Sequence, residues 1–213
     1  MARLRAGLAC RLFKLKPAIE NTVGERKSRD IVRAFKEHYV EIDARTDRKK
    51  GILAFHRMFS ITGLALYKAL LDEFQSQEEL IDEVHEILWN GPMSTMVRFL
   101  AFFIRRSKDP FHSYLKVLGP KNEWFFPCPP WEKVSVEIED GIGWHQKKCP
   151  LVDFFRKEGV VELTRAYGDM DKRIAELLPE HIELRRENAM CTGDGYCDFL
   201  FYRKEPSCSG CRV

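Results

Sequence analysis

The run Cys191-Thr-Gly-Asp-Gly-Tyr-Cys-Asp-Phe-Leu-Phe-Tyr-Arg203 constrains the fold more than any other stretch of the chain. An extended pattern enters it from Ile182. Gly193, Asp194 and Gly195 then supply a turn in which the backbone reaches positive φ at little cost. A second extended pattern leaves the turn. Side chains alternate across a strand, so Cys197, Phe199 and Phe201 share one face, and Asp198, Leu200 and Tyr202 share the other. Two phenylalanines commit the first face to a core, and the Cys197 thiol opens that face at the mouth of the turn. A buried structural cysteine and a chemically used one both fit that position.

Upstream of this hairpin the texture is helical. Ile31, Val32, Phe35, Tyr39 and Ile42 form one apolar stripe, and Ile52, Phe55, Met58, Phe59, Thr62 and Leu66 form a second. Ser76 followed by Glu79 is a capping box that opens a third helix with Leu80, Ile81, Val84, Ile87 and Leu88. Asn90-Gly-Pro92 closes it. Met93 to Arg106 is apolar almost all round, which predicts the most buried helix of the set. His56 and His85 lie on these helices without a second ligand type at i+3 or i+4, so both read as packed or surface histidines. Asp109-Pro110 ends the helical half, and Cys128 sits in a proline-rich loop. Val134, Val136 and Ile138 alternate with polar residues, Asp140-Gly141 is a hairpin turn, and the return strand runs over 142–148.

The sequence therefore predicts an α+β fold: a small antiparallel sheet of about four strands packed with helices, preceded by a helical half. Residues 1–25 read as a basic N-terminal segment. A single domain follows over 26–205, with its helical half at 26–108 and its sheet-bearing half at 109–205. Residues 206–213 read as a flexible tail carrying Cys208-Ser-Gly-Cys211. In the first segment Arg3, Arg5, Arg11, Lys14 and Lys16 precede the first acid, Glu20, and Leu4, Leu8, Leu12 and Leu15 fall at helical spacing. That pattern reads as a helix on the protein's own surface, with membrane-surface contact as the alternative. A net charge of +3 is too small to imply nucleic acid, and seven cysteines, an odd number, fit a reducing compartment better than a disulfide framework. Arg11 interrupts the apolar part of the N-terminus, so it fails as a secretory signal, and a cytoplasmic location is expected.

A second chemical stretch is His145-Gln-Lys-Lys-Cys149-Pro150. Proline suits the first position of a helix, which makes Cys149 the N-cap of a helix over 150–158 ended by Gly159. Free amides and the helix dipole stabilise a thiolate there, and Lys147, Lys148 and His145 add positive potential. The expected consequence is a lowered thiol pKa. A cysteine that merely caps the helix is the alternative.

Cys149-Pro-Leu-Val-Asp-Phe-Phe-Arg-Lys-Glu-Gly159, then Asp171, then Gly193-Asp-Gly-Tyr-Cys197-Asp-Phe199 resemble the L-2-amino-thiazoline-4-carboxylic acid hydrolase family of bacteria, chiefly over residues 131–203. The resemblance implies a match at Cys149, Asp171, Gly193, Asp194, Cys197, Asp198 and Phe199. It departs at Gly168, where the family pattern Cys-x-x-Asp has its cysteine. The implied activity is hydrolysis of a cyclic amidine, with opening of a thiazoline ring to a carbamoyl-cysteine. Cys149 would be the nucleophile, Asp171 the acid, and Cys197 the second thiol of a shared catalytic site. His145, Arg185, Arg203 and Asp194 would bind the substrate, with Arg186 a further option for its carboxylate. A non-catalytic small-molecule or metal sensor is the alternative function. No cofactor is expected. Zinc on Cys149, Cys197, Asp171 and His145 is the alternative, weakened by the lost donor at Gly168.

Overall fold

Capping residues and one glycine decide where the helices start and break. The computed structural model describes residues 2–90, 92–119 and 122–204, so the Cys208/Cys211 tail lies outside the described residues. The order is α1 (Ala2–Leu12), α2 (Leu15–Arg45), α3 (Ile52–Leu70), α4 (Gln77–Trp89), α5 (Pro92–Arg105), α6 (Pro110–Val117), β1 (Glu132–Val136), β2 (Gly141–Lys148), α7 (Pro150–Lys157), α8 (Thr164–Ala175), β3 (Ile182–Arg185) and β4 (Cys197–Arg203). The four strands form one antiparallel sheet in the order β1-β2-β4-β3, and the architecture is α+β with a helical N-terminal half. Among the described residues no single helix is long and apolar enough to cross a membrane.

The chain divides into two units that are not consecutive halves. One comprises Met1–Met96 and Asp153–Met170, the other Val97–Val152 and Asp171–Val213. In the first, Phe35, Tyr39 and Ile42 of α2, Ile61, Leu64 and Leu66 of α3, and Val84, Ile87 and Leu88 of α4 are buried, as their 3.6-residue periodicity requires. Ser76 accepts from the Glu79 amide at 3.1 Å, so the capping side chain opens α4 where the sequence placed it. Tyr167 donates to the Phe59 carbonyl at 2.9 Å and packs edge-on against the Phe59 ring. Gly63 makes room for it, because a Cβ there would overlap the Tyr167 hydroxyl and lie 2.9 Å from Cζ. Asp43 is buried between Arg5 and Arg57, each donating at 2.6 Å. Burial raises its pKa, but the two guanidinium groups more than offset this and hold the carboxyl below its usual range. His56 is buried, and His85 Nδ1 lies 2.7 Å from the Ala166 carbonyl.

Residues 1–25 belong to this unit. α1 turns Ala6 and Ala9 inward and leaves Leu4, Leu8 and Leu12 exposed, the reverse of what its leucine spacing suggests. Alanine is the smaller knob, and it lets the helix approach its neighbour closely. Gly24, at φ 79°, breaks α2 about a third of the way along.

In the second unit, β4 lies between β2 and β3 and is buried on both faces near its start, where Cys197 and Asp198 are 6% and 2% exposed. Trp144 stacks on Phe199 and Phe201 across the β2–β4 pair. β1 is one of the two edge strands, and Val134 on it is 52% exposed, so its period-two pattern does not mark a buried face. Two expectations are corrected. Asp109-Pro110 opens a helix rather than ending one: the Asp109 carboxylate accepts from the His112 amide at 3.0 Å and Pro110 takes the first helical position of α6. Helix α5 is not the most buried. Val97, Ala101 and Ile104 face inward, while Met96, Phe99, Phe102 and Phe103 are 56%, 63%, 49% and 54% exposed.

Candidate functional site

The second unit carries both chemical stretches. In β2 and β4, Gln146 pairs with Cys197 and Trp144 with Phe199. Directly opposed residues share a face of the sheet, so Cys197 lies on the face covered by Trp144, Phe199 and Phe201. β2 ends at Lys148, and Cys149 follows immediately before the first residue of α7. The end of β2 and the start of β4 thus bring the two cysteines to the same end of the sheet. The β2–β4 register, with Gln146 opposite Cys197, brings them together across 48 positions of sequence.

The Cys149 thiol accepts from the backbone amides of Leu151 and Val152, as an N-cap should. The expected lowering of its pKa does not follow. Burial pushes the thiol up to about 11, the Val152 and Leu151 amides pull the other way, and Cys197 and Asp171 add to the rise. Desolvation of a thiolate outweighs a helix terminus when the sulfur is enclosed, although Cys149 as a residue retains some exposed surface. The same effect shows what is gathered here: the charges of Asp171 and Cys197 are both felt at the Cys149 sulfur. Cys197 is itself buried, its Sγ accepting from the Met190 amide at 3.2 Å.

Asp171 comes from α8, one turn after Gly168. Its carboxylate is 3.8 Å from the Arg186 guanidinium, which lies over the Phe199 ring at 4.6 Å. Asp171 also adds to the rise in the pKa of the buried Tyr114 phenol, a rise due first to burial. Arg186 is therefore the arginine that faces the cysteine–carboxylate group. The sequence offers it only as one of three, because the pair Arg185-Arg186 gives no sign of which side chain points inward until the end of β3 is fixed. Arg185 points elsewhere: it is exposed, pairs with Glu183 at 2.6 Å and lies over Tyr202. Arg203 is held by both Asp109 oxygens, at 2.9 and 3.1 Å. Asp194 accepts from the Ala189 amide at 2.8 Å and from the Thr192 hydroxyl at 3.1 Å, which makes it the brace of the turn. His145 packs its ring against Tyr196, centroids 4.1 Å apart, and Lys147 lies over the same ring. The structure thus brings Cys149, Cys197 and Asp171 together, adds Arg186, and gives Arg185, Arg203 and Asp194 local partners of their own.

Asp198 has a structural part in this geometry. Its oxygens accept from the Glu187 amide at 2.9 and 3.1 Å, from the Asn188 amide at 3.0 Å and from Asn188 Nδ2 at 3.2 Å, which fixes the chain that leaves Arg186. On the opposite face of the sheet, Trp144 Nε1 is buried without a hydrogen-bond partner among the described residues. Among those residues no group of three or more His, Cys, Asp or Glu side chains is arranged to hold a metal ion.

Fold and site define an α+β protein with a thiol–carboxylate–guanidinium cluster at one end of its sheet. The chain belongs to the L-2-amino-thiazoline-4-carboxylic acid hydrolase family, whose match covers residues 52–201 and so takes in most of the helical half as well as the sheet. Comparison with curated proteins and with solved structures gave no match.

Proposed function

We propose that the protein hydrolyses the C–N bond of a cyclic amidine bearing a carboxylate, of the L-2-amino-thiazoline-4-carboxylic acid type or closely related. The observation that carries this reading is the meeting of Cys149 with Asp171 and Cys197, with Arg186 3.8 Å from the Asp171 carboxylate. Each group has a part in such a reaction. Asp171 takes the proton of the Cys149 thiol, which at neutral pH is not ionised by itself. The thiolate forms a bond to the amidine carbon while the Leu151 and Val152 amides stabilise its charge beforehand. The bond from that carbon to the ring nitrogen breaks, and the nitrogen leaves as an amine with the proton that Asp171 received. Water then adds to the same carbon and displaces Cys149, giving a carbamoyl group on the cysteine sulfur of the product. Arg186 holds the substrate carboxylate, exchanging part of its contact with Asp171 for it. Cys197 shapes the site and keeps the surroundings of Cys149 poor in water.

Gly168 in place of the family's cysteine removes one thiol from α8 and leaves Cys149 as the nucleophile of this reading. The reaction is assigned to a reducing compartment, the cytoplasm, because seven cysteines, an odd number, fit a disulfide framework poorly.

Thermal shift combined with mass spectrometry over a panel of thiazolines tests the reading. Product formation with a carboxylate-bearing thiazoline, at a KM that rises when the carboxylate is esterified, is the expected result. Stabilisation by the ligand without product would make the protein a small-molecule sensor and overturn the catalytic reading.

A further inference from the structure

Helix α5 has two apolar faces and buries only one of them. Val97, Ala101 and Ile104 point inward and are at most 5% exposed. The opposite side presents Met96, Phe99, Phe102 and Phe103 to solvent, each about half exposed or more. At 100° per residue Met96, Phe99 and Phe103 fall on one stripe with Phe102 beside it. The rings are already gathered: Phe103 packs edge-on against both Phe99 and Phe102. Soluble proteins rarely leave such a patch without use.

Charge says what fits it. Between Glu86 and Asp109 the sequence has no acidic residue, while Arg98, Arg105, Arg106 and Lys108 are all exposed. Arg98 and Arg105 fall along one rim of the aromatic stripe. Arg106 continues the stripe at its C-terminal end, its guanidinium 3.6 Å from the centre of the Phe102 ring. Arg105 also pairs with Glu180 at 2.6 Å, so the rim is not a free charge array, but its sum is positive. Phenylalanines on one face and arginines at its edge are the composition of a helix that lies in a membrane interface. A spanning role does not fit. Only the bent pair of α4 with α5 has a suitable length and composition, and α4 buries Leu80, Ile81, Val84, Ile87, Leu88 and Trp89 in the first unit.

We propose that the outward face of α5 docks on an anionic phospholipid surface. Phe99, Phe102 and Phe103 seat at the boundary of headgroups and acyl chains, and Arg98, Arg105 and Arg106 lie against lipid phosphates. The attraction is electrostatic at the rim and apolar at the centre, so it depends on both lipid charge and salt.

Co-sedimentation of the full chain with vesicles tests this, using phosphatidylcholine alone and phosphatidylcholine mixed with phosphatidylglycerol. The protein should sediment with the mixed vesicles, much less with phosphatidylcholine alone, and less as salt rises. Phe99→Glu/Phe103→Glu should weaken partition about tenfold or more, and Arg98→Gln/Arg106→Gln should remove the preference for phosphatidylglycerol. Leu4→Glu/Leu8→Glu, which alters the exposed leucines of α1, should leave it within about twofold. Circular dichroism and melting curves check that the exposed substitutions leave the fold intact. Failure to sediment, binding kept by Phe99→Glu/Phe103→Glu, or binding lost only with the α1 variant would each overturn the proposal. So would light scattering that shows a dimer which Phe99→Glu/Phe103→Glu dissociates, because a second copy would then occupy the face.

Discussion

Replacing Asp171 by Asn should make Cys149 easier to alkylate while abolishing turnover. The thiol stands at about 11 against an ordinary value of 9.0, with burial the main cause and Cys197 and Asp171 adding to it. Two pKa units correspond to roughly a hundredfold less thiolate at pH 7 than an ordinary cysteine carries. Removing the Asp171 charge takes away one raising contribution and leaves the Leu151 and Val152 amides that lower the pKa. The apparent value should fall by a fraction of a unit, and alkylation below it should rise about two- to fivefold. Iodoacetamide labelling followed peptide by peptide from neutral to strongly alkaline pH gives the titration directly. The same shift has a sign in stability. Above pH 9.0 the unfolded thiol has lost a proton that the folded one keeps, so stability falls as pH rises from 9.0 towards about 11. The loss is at most about 2.7 kcal/mol. An apparent pKa at or below 9.0 would refute the claim that desolvation dominates at Cys149. Unchanged labelling in Asp171→Asn would refute the claim that the carboxylate reaches the sulfur.

Other outcomes follow from the same geometry. Asp43→Ala leaves Arg57 buried without its partner and should cost about 3–5 kcal/mol in urea unfolding. Because the Asp43 pKa is lowered in the fold, the wild-type protein should lose this contribution as pH falls below 3.8 through the lower folded value, a dependence that Asp43→Asn should lack. Gly63→Ala forces Tyr167 out of its place and should cost about 1–3 kcal/mol, relieved in part by adding Tyr167→Phe, as melting curves would show. Asp198→Ala orphans the amides of Glu187 and Asn188 and should cost about 2 kcal/mol or more, with weaker substrate binding because the chain next to Arg186 loosens. Arg186→Gln should raise KM for a carboxylate-bearing thiazoline about tenfold or more, with little effect on its ester.

The sheet was legible in the sequence because its signals are local. Asp140-Gly141 fixes one hairpin, and the alternation of Cys197, Phe199 and Phe201 fixes the buried face of β4. The Ser76–Glu79 capping box likewise located the start of α4. What failed was partner-dependent. Periodicity shows that a face is apolar but not what covers it, so α5 presents to solvent side chains that its pattern assigns to a core. Asp109-Pro110 is chemically ambiguous, since an N-cap followed by proline resembles a helix end when read from the other side. At the site, the cap position of Cys149 was readable, but its pKa depends on enclosure, a property of the folded surroundings. The orientation of Arg186 against that of Arg185 depends on where β3 stops and on the clamp at Asp198, neither of which one sequence displays.

The role of Cys149 as the nucleophile is tested most directly by trapping its adduct. Protein mixed with L-2-amino-thiazoline-4-carboxylate is quenched in acid at short times and analysed by intact and peptide mass. The expected result is a transient gain of one substrate mass on the Cys149 peptide, absent in Cys149→Ser, which should also make no product. Product formed at the wild-type rate by Cys149→Ser, or an adduct on another residue, would contradict it.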